Sequence, residues 1–150
     1  MVFQIGTGRA PTVLLRADID ALPITEQTAK EFKSTHPGKM HACGHDGHTS
    51  MLLGAAAVLN SMDLDGTVKL IFQPAEEGGA GGLRMIEEGV LEDEPKVQAA
   101  FGIHLWPALP SGQVGSRPGV VLAACDRFEI QVREIKRETG EQRGNIILGR

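Results

Sequence analysis

Aromatic residues, cysteine and positive charge are all scarce in this 150-residue chain. It has no tyrosine, one tryptophan and five phenylalanines, so a hydrophobic core has to be built mainly from aliphatic side chains. The net charge is −4, and the absence of a basic patch argues against nucleic acid as a partner. No apolar run approaches the length of a membrane span, so we also expect no membrane partner.

Features that would indicate export, a C-x-x-C redox pair or a serine hydrolase are missing as well. The opening MVFQIGTGRAP has neither the basic start nor the apolar core of a signal peptide, so we expect a cytoplasmic protein. Only two cysteines occur, Cys43 and Cys125, and a disulfide between them is not expected in that compartment. The chain contains no C-x-x-C pair and no G-x-S-x-G motif.

Apolar patterns along the chain predict an α/β fold. Short apolar runs at residues 12–16, 66–74 and 97–107 predict buried strands, and residues 111–132 predict two more around Pro118. Between these runs, helical spacing predicts two helices, at residues 46–62 and 80–90. The alternation of strand and helix implies crossover connections, and therefore a mainly parallel mixed sheet flanked by helices.

The predicted helices carry their own end signals. Asp46 or Thr49 is expected to cap the start of the longer helix, and Gly89 to end the shorter one. The segment MHACGHDGHTS, residues 40–50, leads into the longer helix, while RADID, PAEEG and GIHLWP follow or end the three strands. Since ligand-binding groups gather at the carboxyl ends of parallel strands, we expect these four segments to converge on one edge of the sheet.

Cys43 and His45 form a Cys-x-His pair, and thiolate and imidazole are both ligands for borderline metals. Gly44 between them permits a tight turn. Taken alone, the pair is better explained as a polar loop with a helix cap, and a thiol nucleophile paired with histidine stays open. Convergence with the other segments favours a metal, with His104 as a further candidate ligand.

Glu76 and Glu77 stand together directly after a buried strand, where two carboxylates repel each other. Metal-dependent hydrolysis gives a reason for the pair: one carboxylate binds the ion, and the other moves a proton from water to the leaving amine. Asp18 is placed to orient a ligating imidazole from behind, and Asp20 is a weaker candidate for the same task.

The remaining histidines and a glycine run are less informative. His48 follows His45 by three residues on the predicted helix, so the two share a face and His48 receives a supporting role. His41 stays ambiguous, and His36 is assigned to a surface loop. The run GGAGG at residues 78–82 lacks the Lys-Ser/Thr of a phosphate-binding loop, and its glycines are expected to allow close backbone approach instead.

Four stretches of the chain together resemble the amidohydrolase branch of the aminoacylase and carboxypeptidase-like metallopeptidases. This branch includes hippurate hydrolases, indole-3-acetyl-amino-acid hydrolases and N-acetyldiaminopimelate deacetylases. The resemblance runs from about Ile5 to Val132 and rests on LLRADIDALPI, MHACGHDGHTSMLLGAA, GTVKLIFQPAEEG and FGIHLWPALPSGQVGSRPG. It implies a zinc-aminopeptidase-like catalytic domain with two divalent metal ions, most often manganese or zinc.

Position by position, the resemblance implies roles for particular residues. Glu76 corresponds to the general base, and Asp18 to an acidic residue behind the metal. The implied metal ligands are Cys43, His45, Glu77 and His104. The implied reaction is hydrolysis of a small-molecule N-acyl amino acid, in which the metal pair polarises the amide carbonyl and holds the attacking hydroxide.

The chain also departs from the family pattern. Family members are longer, and they continue into a lid or dimerisation domain and a last metal-binding histidine. Here a polar segment with many charges follows Val132 instead. We therefore predict a truncated or frameshifted product: a partial catalytic domain at residues 1–132, including the start of the strand that leads to the missing lid, and a divergent polar tail at residues 133–150. The dimer surface common in the family is expected to be lost.

Two alternatives to an active amidohydrolase remain open. The first is a truncated, catalytically inactive remnant that still binds metal through the four candidate ligands. The second is a zinc-stabilised interaction module, which would need a closed tetrahedral site with no open position. The paired carboxylates argue against the second alternative.

Overall fold

A computed structural model of the chain describes residues 1–122. The chain divides into two compact units, Met1–Pro107 and Ala108–Arg150, and the regular elements found within residues 1–122 lie in the first. In chain order these are β1 (Val2–Gly6), β2 (Thr12–Asp18), α1 (His45–Leu59), β3 (Thr67–Gln73), α2 (Gly81–Glu87) and β4 (Ala99–Gly102). No helix within residues 1–122 is both long and apolar enough to cross a bilayer.

The four strands form one mixed sheet in the order β1-β3-β2-β4. The central strand β2 is parallel to both neighbours, with Thr12 opposite Thr67 and Val13 opposite Ala99. Only β1 is antiparallel, against β3. The predicted α/β fold with a mainly parallel mixed sheet is therefore confirmed. Because β2, β3 and β4 run in the same direction, their carboxyl ends meet at one edge of the sheet.

Alternating side chains of β2 and β3 build a small core on each face of the sheet. One core joins Ala17, Leu70 and Phe72 to Leu52 of α1. The other core, on the opposite face, joins Leu14 and Ile71 to Val90, just after α2. Burial of each large side chain contributes about 1.5–3 kcal/mol, so the strand ends that carry the polar segments are fixed by packing from both faces.

The start of α1 differs from the prediction, because neither Asp46 nor Thr49 caps it. Gly44 occupies the cap position with φ +85°, and no side chain makes a capping hydrogen bond. Thr49 lies inside the helix, where its hydroxyl donates to the carbonyl oxygen of His45 at 2.8 Å. The left-handed backbone at Gly44 favours glycine, and it turns the chain sharply between Cys43 and His45.

The predicted third strand over residues 97–107 is too long, since β4 ends at Gly102. Beyond it the backbone leaves the sheet, and Leu105 donates its N–H to His48 instead of to a strand. The predicted strand pair over residues 111–132 is wrong for residues 111–122, which contain no strand, and Pro118 in that stretch cannot donate to a ladder. Its remainder, Cys125 and the predicted tail at residues 133–150 lie outside the described residues.

Candidate metal centre

His45, the first residue of α1, lies at the centre of a cluster at the carboxyl edge of the sheet. Its side chain is only 1% exposed. Its Nε2 lies 3.6 Å from Oδ2 of Asp18, and 3.9 Å from the nearest carboxylate oxygens of both Glu76 and Glu77. Side chains from two segments that are distant in sequence thus meet at the imidazole of His45.

Cys43 and His104 complete the cluster on another side of His45. The thiol Sγ of Cys43 lies 3.7 Å from Nε2 of His104. Three trios of potential ligand atoms each fall within 4.8 Å of one another, and all three include His45. The other members are Cys43 with His104, Glu76 with Glu77, and Asp18 with His48. The structure thus brings together the six residues to which the sequence analysis gave metal-binding or catalytic roles.

The hydrogen bonds of His45 define which nitrogen of its ring carries the proton. Nδ1 donates to the backbone carbonyl oxygen of Asp20 at 2.9 Å, so Nε2 carries the lone pair and points into the cluster. Nε2 is buried and has no hydrogen-bond partner within residues 1–122. A buried polar atom left in this way costs about 1–3 kcal/mol. A divalent cation would satisfy it, so the residues present fit a metal ion.

Asp18 is a buried carboxylate on the Nε2 side of the His45 ring. Burial raises the pKa of the Asp18 carboxyl, but the hydrogen bond from His48 and the charge of Arg16 outweigh it and hold that pKa below the usual 3.8. Nη1 of Arg16 lies 3.1 Å from Oδ2 of Asp18. The carboxylate therefore stays negative at neutral pH and adds to the attraction that the cluster exerts on a cation.

The thiol of Cys43 has a raised pKa and therefore stays protonated in the absence of a cation. Burial, a hydrogen bond with Glu77 and the negative charges of Glu76 and Asp18 raise the pKa of the thiol to about 11. A nucleophilic cysteine requires a lowered pKa, so the thiol-nucleophile hypothesis loses its support. A bound cation reverses the effect, because a coordinating thiol is deprotonated by the metal.

The turn that carries Glu76 and Glu77 is tightly folded. Ala75 and Ala80 both have left-handed backbones, with φ +56° and +50°. A Cβ at Gly81 would lie 1.8 Å from the carbonyl oxygen of Pro74, so only glycine fits there. The N–H of Glu77 donates to Oδ2 of Asp20 at 3.0 Å. These contacts hold both carboxylates close to His45. The close approach at Gly81 also explains why the GGAGG run needs a glycine at that position.

Three contributors were missed or undervalued in the sequence. Arg16 forms an ion pair with Asp18, and its place two residues before Asp18 in RADID is the sequence signal that could have indicated this contact. Asp20, the weaker candidate, contacts His45 through a carbonyl oxygen that a side-chain pattern cannot reveal. His48 is buried and hydrogen-bonded to Asp18.

His36 and His41 are exposed, and neither belongs to a metal-binding trio within residues 1–122.

The chain is similar in sequence to curated proteins that are named as hydrolases and deacetylases. The chain is 55% identical over 134 residues to IAA-amino acid hydrolase ILR1-like 5 of Arabidopsis thaliana, a match that covers 88% of this chain and 30% of that protein. It is 48% identical over 129 residues to N-acetyl-L-cysteine deacetylase of Bacillus subtilis (strain 168), covering 85% and 30% respectively. The chain thus spans about 30% of the length of these curated relatives.

Solved structures and a family model agree with this result. The structure superimposes on the Bacillus subtilis YXEP protein, described as a dinuclear metal binding peptidase from the M20 family, with a TM-score of 0.73 and 48% identity. The match covers 79% of this chain and 33% of that one. The model of peptidase family M20/M25/M40 matches residues 14–144. The chain therefore belongs to peptidase family M20/M25/M40.

Proposed function

We propose that the chain acts as a metal-dependent amidohydrolase that cleaves the amide bond of small N-acyl amino acids in the cytoplasm. The observation that carries the proposal is the buried Nε2 of His45, which lacks a hydrogen-bond partner within residues 1–122 and faces a thiol and three carboxylates. The names of two relatives, an IAA-amino acid hydrolase and an N-acetyl-L-cysteine deacetylase, support this substrate class.

Four side chains are the proposed ligands of two divalent ions, manganese or zinc. Thiolate, imidazole and carboxylate together suit such ions. When bound, the ions supply a Lewis acid that polarises an amide carbonyl and lowers the pKa of a water molecule. The proposed ligands are Cys43, His45, Glu77 and His104.

Glu76 is the proposed general base. Its side chain is 43% exposed, so water and substrate can reach it, and its Oε2 is only 3.9 Å from Nε2 of His45. In the proposed reaction the Glu76 carboxylate takes a proton from the attacking water, whose oxygen bonds to the acyl carbon. Glu76 then returns that proton to the amide nitrogen as the C–N bond breaks, giving a carboxylic acid and a free amino acid.

Asp20 is proposed to orient His45 and to keep its proton on Nδ1, because its carbonyl oxygen accepts from Nδ1. A partner of this kind fixes the direction of a ligating imidazole and raises its basicity. Asp18, whose carboxylate lies on the Nε2 side of the ring, is proposed as the acidic residue that supports the bound metal.

The test combines metal content with hydrolysis of N-acetyl and N-benzoyl amino acids in the presence of manganese or zinc. Glu76→Gln is expected to keep the bound metal and to lower turnover by about 10²–10⁴-fold, the usual contribution of a general base. Glu87→Gln is the matched control, because Glu87 belongs to another Glu-Glu pair, on the exposed side of α2. It is expected to leave both measurements unchanged.

The other outcomes separate the alternatives. A wild-type chain that binds metal without turnover would support the inactive metal-binding remnant and contradict the proposed reaction. A wild-type chain that binds no metal would contradict both. Turnover that survives Glu76→Gln would keep the amidohydrolase and reject Glu76 as its base.

A further inference from the structure

We propose that His48 is a positioning residue that holds the segment carrying His104 against the first turn of α1, so that His104 and His45 reach the same metal ion. The proposal depends on the proposed function for the ligand roles of these two histidines. The hydrogen bonds around His48 support it independently of any ion.

Both ring nitrogens of His48 are occupied by other parts of the chain. Nδ1 lies 2.5 Å from Oδ1 of Asp18, and Nε2 lies 2.8 Å from the backbone nitrogen of Leu105. Because a backbone N–H can only donate, Nε2 has to be the acceptor, and the proton of the ring therefore sits on Nδ1, facing the carboxylate. The ring is 3% exposed. It has no free nitrogen with which to bind a metal.

The backbone N–H and the backbone carbonyl of Leu105 connect His48 to His104. Its N–H donates to His48, and its carbonyl oxygen accepts from Nδ1 of His104 at 2.8 Å. That second bond leaves Nε2 of His104 as the nitrogen that faces Cys43. The rings of His48 and His104 also contact each other edge to face, with centroids 4.7 Å apart. His48 therefore acts on His104 both through the backbone of Leu105 and through direct ring contact.

Two glycines of the CGHDGH segment make room for this arrangement. A Cβ at Gly47 would lie 2.5 Å from Cδ1 of Leu105, and a Cβ at Gly44 would lie 3.2 Å from Cβ of Leu105. The Leu105 side chain thus packs directly on the backbone at the start of α1. Since β4 ends at Gly102, no strand pairing holds residues 103–105, and the contacts with α1 fix the position of His104.

A pair of substitutions separates the two hydrogen bonds of His48. The amide nitrogen of Asn can replace Nδ1 as the donor to Asp18, but Asn is too short to accept from Leu105. The amide oxygen of Gln can replace Nε2 as the acceptor from Leu105, but Gln has no donor near the position of Nδ1. If His48 acts by holding Leu105, His48→Asn is the damaging variant and His48→Gln the tolerated one.

The first measurement is Co²⁺ binding to the full chain, by competition with a chelator and by visible absorption, together with melting of the metal-free protein. His48→Asn is expected to weaken Co²⁺ binding about 10–100-fold, as loss of a partner behind a ligand does, and to change the absorption bands. His48→Gln is expected to stay within about threefold of wild type, as is the exposed His36→Asn control. A His48→Asn variant with a lower melting temperature but unchanged affinity and spectrum would overturn the proposal, as would equal damage by Asn and Gln.

A second measurement needs neither metal nor substitution. In the metal-free wild type, ¹⁵N NMR of the histidine rings is expected to show the Nδ1–H tautomer at both His48 and His104, and the Leu105 amide is expected to exchange slowly. An Nε2–H tautomer at His48, or fast exchange at Leu105, would overturn the proposal even if the chain binds metal. If the chain binds no metal while these NMR signatures are present, the proposed function fails and the positioning contact stands.

Discussion

The backbone carbonyl oxygen of Asp20 accepts a hydrogen bond from Nδ1 of His45 at 2.9 Å. The side chain of the same residue accepts from the N–H of Glu77 at 3.0 Å. One residue just beyond β2 therefore contacts two proposed ligands that belong to different elements. Its main chain sets the direction of the imidazole, and its carboxylate fixes the turn after β3.

Asp20→Ala is expected to weaken binding of a divalent metal by about 10–100-fold, because the turn that carries Glu77 loses its anchor. Asp20→Asn keeps an oxygen that can accept from Glu77 and is expected to lose less. The carbonyl bond to His45 survives in both variants. Metal titration against a chelator measures the difference, with the exposed Asp63→Ala as control. Equal losses in the Ala and Asn variants would show that the charge of Asp20 matters and not its hydrogen bond.

Asp18 makes the stability of the metal-free protein depend on pH. Its pKa is lower in the folded chain than the usual 3.8, so its stabilising contribution is complete well above that value and is lost as the pH falls through the lower, folded value. Urea unfolding at a series of pH values is expected to show wild type more stable than Asp18→Asn near pH 7. That advantage should shrink as the pH drops below about 4.

The exposed Asp63→Asn serves as the control for removing a carboxylate. A difference between wild type and Asp18→Asn that stays constant down to the lowest pH would mean that the Asp18 charge does not stabilise the fold.

The thiol of Cys43 is expected to react slowly in the absence of metal. Its pKa of about 11 lies some two units above the ordinary value of 9.0, so at pH 8 the reactive thiolate is about a hundredfold scarcer than in an unperturbed cysteine. Alkylation by iodoacetamide in a Cys125→Ser background measures the rate, with a short cysteine peptide as reference. The rate should keep rising beyond pH 9, and a plateau below that pH would contradict the raised pKa.

Two glycine substitutions are expected to have opposite effects on stability. Gly81→Ala places a Cβ 1.8 Å from the backbone oxygen of Pro74, which cannot rotate away, and is expected to cost about 1–3 kcal/mol. Gly54→Ala, inside α1, meets no atom within 4 Å and is expected to gain about 0.5–1 kcal/mol from helix propensity. Urea unfolding of the metal-free proteins measures the free energy of unfolding of each variant and of wild type. A Gly81→Ala protein as stable as wild type would disprove the close approach.

Elements with a strong local pattern could be predicted from the sequence, and those that depend on distant partners could not. β2 and β3 are continuous apolar runs buried on both faces, which is the pattern of a central parallel strand. β1 was not predicted, because most of its side chains are exposed and it forms only by pairing with β3. The end of β4 was overestimated, since the apolar run continues after the backbone has turned towards α1.

The same distinction applies to the candidate site. Side chains with metal-binding chemistry could be selected from residue type and spacing alone, and the structure brings them together around His45. The role of Asp20 depends on a carbonyl oxygen, and that of His48 on the N–H of Leu105, which lies 57 residues further along the chain. Backbone groups are identical at every position, so no sequence pattern distinguishes the ones that matter.

The order of strands in the sheet has a consequence for synthesis on the ribosome. Both neighbours of β2 come later in the chain. Just before β4, the backbone N–H of Gln98 donates to the carbonyl oxygen of Thr12, and Gln98 follows Thr12 by 86 residues. At about 5–20 residues per second, the apolar β2 segment waits on the order of ten seconds for its second partner. During that interval β2 exposes both edges until β3 is made and one edge until β4 is made, and a chaperone that shields residues 12–18 would protect the nascent chain from aggregation.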